Sequence, residues 1–268
     1  MLIREVLVPA EGRLLPAVIS DDGEALLTAA EAGKTVIGIF REGAGGPGFS
    51  HCLYLVDSPE AVTPRLLERA VRRTAGLPWI IAGTPRLIIR EFQDSDPLEE
   101  PSEHDGDGVF SSWEKRHCYI RNQYRFAEYG IWAVVRKADG RMVGKCGIDR
   151  QFGYHIFPGF RRQGYAEEAS RAVFSYAKRE LGMTELRGWI RADNLASRRL
   201  AEKLGMRPCP EPGTALCPRP EMLPGEEPEL SPRPGICPPG KPENRTLSGG
   251  SGDKKTENAN CISYRILL

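Results

Sequence analysis

The stretch "FPGFRRQGYAEEASRAVFSYAKRELG", residues 157–182, sets two arginines and one glycine directly ahead of a helical pattern. The first turn of a helix carries unpaired backbone N–H groups and the positive end of the helix dipole. Gly164 offers no side chain to obstruct an anion there, and Arg161 and Arg162 add positive charge on the incoming side. Strand, basic turn, glycine and helix together make a cradle for a pyrophosphate. The turn is not a P-loop, because no G-x-x-x-x-G-K-[ST] is present. Nor is it a dinucleotide fingerprint, since a single glycine occupies it. The same residues also suit an ordinary strand-to-helix turn with solvated arginines, and the turn alone leaves both readings open.

Other chemistry-bearing residues point to less. Cys52, Cys118, Cys146, Cys209, Cys217, Cys237 and Cys261 include no C-x-x-C pair. Free thiols and no metal are expected, because structural zinc uses closely spaced ligand pairs. Asp21 and Asp22 follow a strand and precede "EALLTAAEAG", where a carboxylate caps a helix. "REGAGGPG" (41–48) is glycine-rich, yet no helix follows it directly, so it reads as a loop.

These groups must be held by two stretches of different texture. Residues 1–82 read as a small α/β unit, with strands at "EVLVPA", "LLPAVIS", "TVIGIF" and "CLYLVD". Its second helix, "TPRLLERAVRRTAG", has Thr63 as cap, Pro64 in first position and Gly76 as stop. "LPWIIAGTP" is a connector, and the boundary falls near Ala82. From Arg86 onward the pattern is α+β. "RLIIREF", "YGIWAVVRK", "RMVGKCGI", "FGYHIF" and "ELRGWIRA" are strands, while 113–127, 164–181 and "NLASRRLAEKLG" are helices. Residues 208–242 hold 12 of the chain's 22 prolines. The reading for 208–259 is therefore a long flexible insert before a last strand, "CISYRILL".

With 37 basic and 36 acidic residues the formal charge is only +1, so no global field favours nucleic acid or an anionic membrane. Arg4, Glu5, Glu11 and Arg13 interrupt what would be the apolar core of a signal peptide, and no spanning apolar run is present. The expectation is a cytoplasmic monomer or homodimer with neither nucleic acid nor membrane as partner.

"RRQGYA" fits the Q/R-x-x-G-x-G/A signature of the GCN5-related N-acetyltransferases, the GNAT superfamily, and its surroundings sharpen the likeness. "GYHIF", "RRQGYAEEA", a helix ending in "ELGM", a strand and "NLASRRLAEKLGM" follow in the family's order. N-x-x-S at the start of the second helix and the closing E-K-L-G-M resemble the branch that includes ribosomal-protein N-terminal acetyltransferases. The resemblance spans 86–207 and extends to 261–268. It implies a GNAT-type mixed, mostly antiparallel sheet flanked by helices, here preceded by a small Rossmann-like α/β domain, with 83–268 as the N-acetyltransferase domain.

The resemblance also implies acetyl-CoA as cosubstrate and an amine, on a protein N-terminus or a small molecule, as acceptor. Arg161, Arg162, Gln163, Gly164, Tyr165 and Ala166 would bind the pyrophosphate, and the strand through Ile156 and Phe157 would pair with the pantetheine arm. Asn194 and Ser197 would lie near the thiol, with Ser197 protonating the departing thiolate. The chain departs from the family in three places. Gln151 stands where an acid is often found, leaving the general base unassigned between Asp149 and His155. The acidic segment 93–108 reads as a solvated loop, with attraction of a cationic amine as the alternative. The proline-rich insert takes the place of the late hairpin that shapes the acceptor site. Beside catalysis, two rival readings therefore stand: a non-catalytic acyl-CoA sensor, and a nucleotide- or phosphate-binding role for residues 1–82.

Overall fold

A computed structural model describes residues 2–41, 47–99, 108–209 and 261–268, which fall into two units: 1–81 with 90–97, and 82–89 with 98–268. In the first, β1 (Ile3–Ala10) and β2 (Arg13–Ser20) form an antiparallel hairpin. Glu11 and Gly12 close it at φ of 48° and 75°, the pair of positive angles that a two-residue turn needs. β3 (Thr35–Ile39) runs parallel to β2, and β4 (Tyr54–Val56) parallel to β3. Helix α1 (Gly23–Glu31) covers one face, packing Leu26 and Ala29 against Val18 and Val36. Helix α2 (Pro64–Thr74) covers the other through Ala70 and Val71, which meet Ile19, Ile37, Val8 and Ala17. Successive side chains of a strand point to opposite faces, so the apolar runs of β2 and β3 serve both helices. Asp22 caps α1 by accepting from the Glu24 N–H, and Asp21 accepts from the Leu2 N–H at 2.6 Å. The capping reading holds for the first of these carboxylates, and a backbone tie accounts for the second.

The remaining elements are β5 (Ile80–Gly83), β6 (Leu87–Arg90), α3 (Trp113–Ala127), β7 (Ile131–Arg136), β8 (Met142–Ile148), β9 (Phe152–Ile156), α4 (Tyr165–Glu180), β10 (Glu185–Arg191), α5 (Leu195–Lys203), β11 (Arg207–Cys209) and β12 (Cys261–Leu267). One sheet runs β5-β6-β7-β8-β9 and another β10-β12-β11, with antiparallel pairing of β7–β8, β8–β9 and β10–β12, giving the antiparallel sheets flanked by helices expected of a GNAT fold. Helix α4 lies on β8 and β9 with Ala169, Val173, Phe174 and Ala177 inward; the Phe174 and Phe152 rings meet edge-on at 4.7 Å. β9 ends its sheet and pairs with β8 alone. β10 comes close to it, and a Cβ on Gly188 would stand 3.1 Å from the Phe152 carbonyl oxygen.

Several local expectations need correction. The connector "LPWIIAGTP" contains strand β5, because its β-branched pair Ile80–Ile81 outweighs the flanking prolines. The insert was read from residue 208, yet Pro208 and Cys209 belong to β11, which pairs antiparallel with β12. Proline is tolerated there because β11 is an edge strand. The base of a late hairpin is thus present rather than replaced, and residues 210–260 lie outside the described residues. In the acidic segment, Asp96 is buried against Arg90 at 2.6 Å and Glu99 against Lys145 at 2.9 Å, so these two are not solvated loop charges. Residues 100–107 of that segment, and 42–46 of the glycine-rich loop, lie outside the described residues. Among the described residues, no helix is long and apolar enough to cross a membrane, and no cluster of His, Cys, Asp and Glu could hold a metal ion.

Candidate active site

Beyond β9 the chain makes one 3-10 turn, Pro158–Phe160, and then enters the basic segment. Arg161 Nε donates to the Ile156 carbonyl at 2.9 Å, folding this side chain back onto the end of β9. Arg162 sits at φ +60°, in a left-handed region that costs an ordinary residue about 1–2 kcal/mol. Gly164 caps α4 at φ +81° with no side-chain capping bond, so the first N–H groups of the helix meet no cap side chain. A Cβ on Gly164 would have one neighbour within 4 Å, Arg86 Nη2 at 3.3 Å. The left-handed backbone is therefore the stronger reason for glycine here, ahead of the open path for an anion that the sequence emphasised.

This turn forms one wall of a cleft of about 1300 Å³. Ile156, Phe157, Arg161, Arg162, Gly164, Tyr165, Ala166, Asn194 and Ser197 all line it, and Gln163 does not. Gln163 instead turns its side-chain amide toward the Gly159 carbonyl, at 3.5 Å, while its own carbonyl accepts from Arg86. The cleft exceeds the roughly 300–1,000 Å³ typical of small-ligand pockets, leaving room for an extended cosubstrate beside an acceptor. Its opposite wall is α5, whose Ala196, Arg199, Leu200 and Lys203 recur at helical spacing on one face. That spacing was present in the sequence and would have identified these four.

Asn194 caps α5, its Oδ1 accepting from the Ser197 N–H at 3.1 Å. The Ser197 hydroxyl is not engaged in capping. It accepts from the Tyr154 hydroxyl at 3.1 Å, a contact between β9 and α5 across 43 residues of sequence. Burial raises the pKa of Tyr154 above that of a free phenol, partly offset by this bond, so its O–H stays available as a donor. Tyr154 thus joins the site by its side chain, whereas the sequence assigned its strand a backbone role only.

Two carboxylates line the cleft, Glu99 and Glu167. Glu167 is held below the usual carboxylate range first by its bond to Lys203 and then by Arg171. Glu99 pairs with Lys145, whose ammonium lies 4.1 Å from the Phe110 ring centre. His155 lines the cleft too, next to Phe157. Asp149, the other candidate base, is exposed in the turn between β8 and β9 and does not line the cleft; Gln151 occupies the same turn.

Residues 86–207 match the family model described as Acetyltransferase (GNAT) domain. The uncharacterized protein YkkB of Bacillus subtilis is 34% identical over 126 residues, which make up 43% of this chain and 70% of that protein. The uncharacterized N-acetyltransferase YnaD of the same organism is 26% identical over 140 residues, covering 46% of this chain and 81% of the relative. A solved structure titled as a putative ribosomal-protein-serine acetyltransferase from Vibrio cholerae overlaps at a TM-score of 0.42 and 18% identity, covering 71% of this chain and 98% of that one.

Proposed function

This chain belongs to the GNAT acetyltransferase family, and from that membership we propose that it transfers an acetyl group from acetyl-CoA to a primary amine. In this reading residues 83–268 are the catalytic domain and 1–82 a separate α/β domain. The observation that carries it is the convergence of the left-handed anion turn, the edge of β9 and the Ser197 hydroxyl on one cleft. Backbone N–H groups from Arg162 to Ala166 would hold the pyrophosphate, helped by the α4 dipole, with Arg161 contributing from its place on the cleft wall while its own N–H goes to the Pro158 carbonyl. The outer edge of β9 would hold the pantetheine arm, with Ile156 and Phe157 lining the cleft at its end and Asn194 and Ser197 beside the thioester.

Acetyl-CoA supplies an activated acyl group, so the protein's task is to align a neutral amine with it and to manage two protons. Alignment provides much of the acceleration in such transfers. His155 lines the cleft and brings an imidazole nitrogen that can accept the proton released by the amine. Ser197 accepts a hydrogen bond from Tyr154 and so keeps its own proton for the departing thiolate. A relative named as an N-acetyltransferase supports an amine as acceptor. The N-x-x-S likeness to ribosomal-protein acetyltransferases ranks protein N-termini first.

A free-thiol assay with acetyl-CoA tests this directly. The panel comprises peptides with Ala, Ser or Met N-termini, free amino acids, polyamines and aminoglycosides. Release above hydrolysis is expected for at least one amine, with Ser197→Ala lowering kcat more than it weakens acetyl-CoA binding. Tight acetyl-CoA binding without release for any amine would instead support the sensor reading.

A further inference from the structure

The proposed pyrophosphate turn is held from the side away from the cleft. Arg86, in the segment between β5 and β6, donates from Nε to Glu168 Oε2 at 2.7 Å and from Nη1 to the Gln163 carbonyl at 2.9 Å. Its guanidinium lies 4.7 Å from the centre of the Tyr165 ring. Glu168, in the first turn of α4, also accepts from the Arg86 N–H at 2.9 Å and from Thr84 Oγ1 at 2.6 Å. Lys137 Nζ in turn donates to the Thr84 carbonyl. Neither Arg86 nor Glu168 lines the cleft, although Gly164, Tyr165 and Glu167 do.

A trans peptide points its carbonyl and the following N–H in opposite directions. Arg86 takes the Gln163 carbonyl and does not itself line the cleft, so the Gly164 N–H on the other side of that peptide would face the cleft that Gly164 lines. The turn needs such a hold, because Arg162 at φ +60° and Gly164 at φ +81°, on either side of Gln163, are both left-handed. Taking acetyl-CoA as the ligand of this cleft, we propose that Arg86, tethered by Glu168, is a positioning residue that fixes the Gln163–Gly164 peptide with its N–H aimed at the pyrophosphate. The carboxylate of Glu168 is held in its charged form by the Thr84 and Arg86 bonds, which outweigh the opposing effect of burial.

Glu168→Gln separates this role from simple charge. Charge counting predicts that removing an acid beside the turn tightens the binding of an anion. Loss of the tether predicts the opposite. The measurement is competition binding of acetyl-CoA and of S-acetylpantetheine, which carries the same thioester without pyrophosphate. We expect Arg86→Gln to weaken acetyl-CoA about tenfold, the size of one charge-assisted hydrogen bond, and to leave S-acetylpantetheine unchanged. Glu168→Gln should weaken acetyl-CoA in the same sense by a smaller factor. Hydrogen exchange supplies a second readout: acetyl-CoA should slow the Gly164 amide strongly in the wild type and weakly in either variant. Tighter acetyl-CoA binding by Glu168→Gln, or equal weakening of both ligands, overturns the proposal. Failure of the wild type to bind acetyl-CoA is a distinct result that removes the functional reading itself.

Discussion

Replacing Gly164 stepwise by Asn, Ala and Val separates backbone strain from blockage of the turn. Gly164 holds φ +81° and ψ 2°, inside the left-handed region. An L-residue there costs about 1–2 kcal/mol, less for Asn, which visits this region more readily, and more for a β-branched side chain. Sterics add little for Ala, because the new Cβ meets only Arg86 Nη2 at 3.3 Å, the far end of a flexible side chain. For a folding unit of this size that loss lowers Tm by about 2–8 °C. Acetyl-CoA affinity should fall in parallel, since a turn relaxed from φ +81° no longer aims its N–H groups together. Each charge-assisted bond lost corresponds to about tenfold or more in Kd. Thermal melts and calorimetry on the three variants should therefore both rank Asn above Ala above Val. Wild-type Tm and wild-type acetyl-CoA affinity in Gly164→Val would refute the reasoning, because neither strain nor N–H alignment could then depend on glycine.

Tyr154→Phe should lower kcat about 2- to 10-fold, the range of one neutral hydrogen bond, with the acetyl-CoA KM almost unchanged; equal loss in both would mean a packing defect. Burial raises the folded pKa of Tyr154 above 10.0, so its contribution is complete below pH 10 and is lost only as pH climbs through the raised value. A wild-type kcat that fell below pH 10, with the fall absent in Tyr154→Phe, would contradict this. Cys146 is fully enclosed on β8, and burial pushes its thiol up to about 12. Iodoacetamide at pH 8 should leave Cys146 unmodified in the folded chain and label it after unfolding, as peptide mass mapping would report. Labelling of Cys146 as fast as of the less buried Cys118 would show that the sheet opens readily.

What the sequence revealed about this fold follows from the range of the forces involved. Helix α3 occupies the expected 113–127, and Thr63 caps the helix assigned to it, because periodicity and capping act over a few residues. β11 was lost to the proline rule, which discounts a strand until its edge position is known. Asp96 and Glu99 looked solvated because their neighbours are acidic, and only the folded chain brings Arg90 and Lys145 to them.

The same distinction runs through the candidate site. That α4 begins at a glycine with no side-chain cap was legible, since Gly164 stands directly before the helical pattern. Where the N–H donors of this turn point was not, because a peptide plane in a short left-handed turn can face either way at little local cost. Here its direction is set by Arg86, 77 residues earlier in the chain, whose bond to the Gln163 carbonyl is answered by Glu168 within the helix. Tyr154 and Ser197 show the same division: cap and strand are read locally, while the hydroxyl pair that joins them exists only once β9 and α5 share a cleft. In the proposed site, a signature such as R-R-Q-G-Y-A would supply the donors of the turn, and residues outside the signature would set their aim. Substitutions at Arg86 or Glu168 can disable such a turn while every residue of the signature is intact.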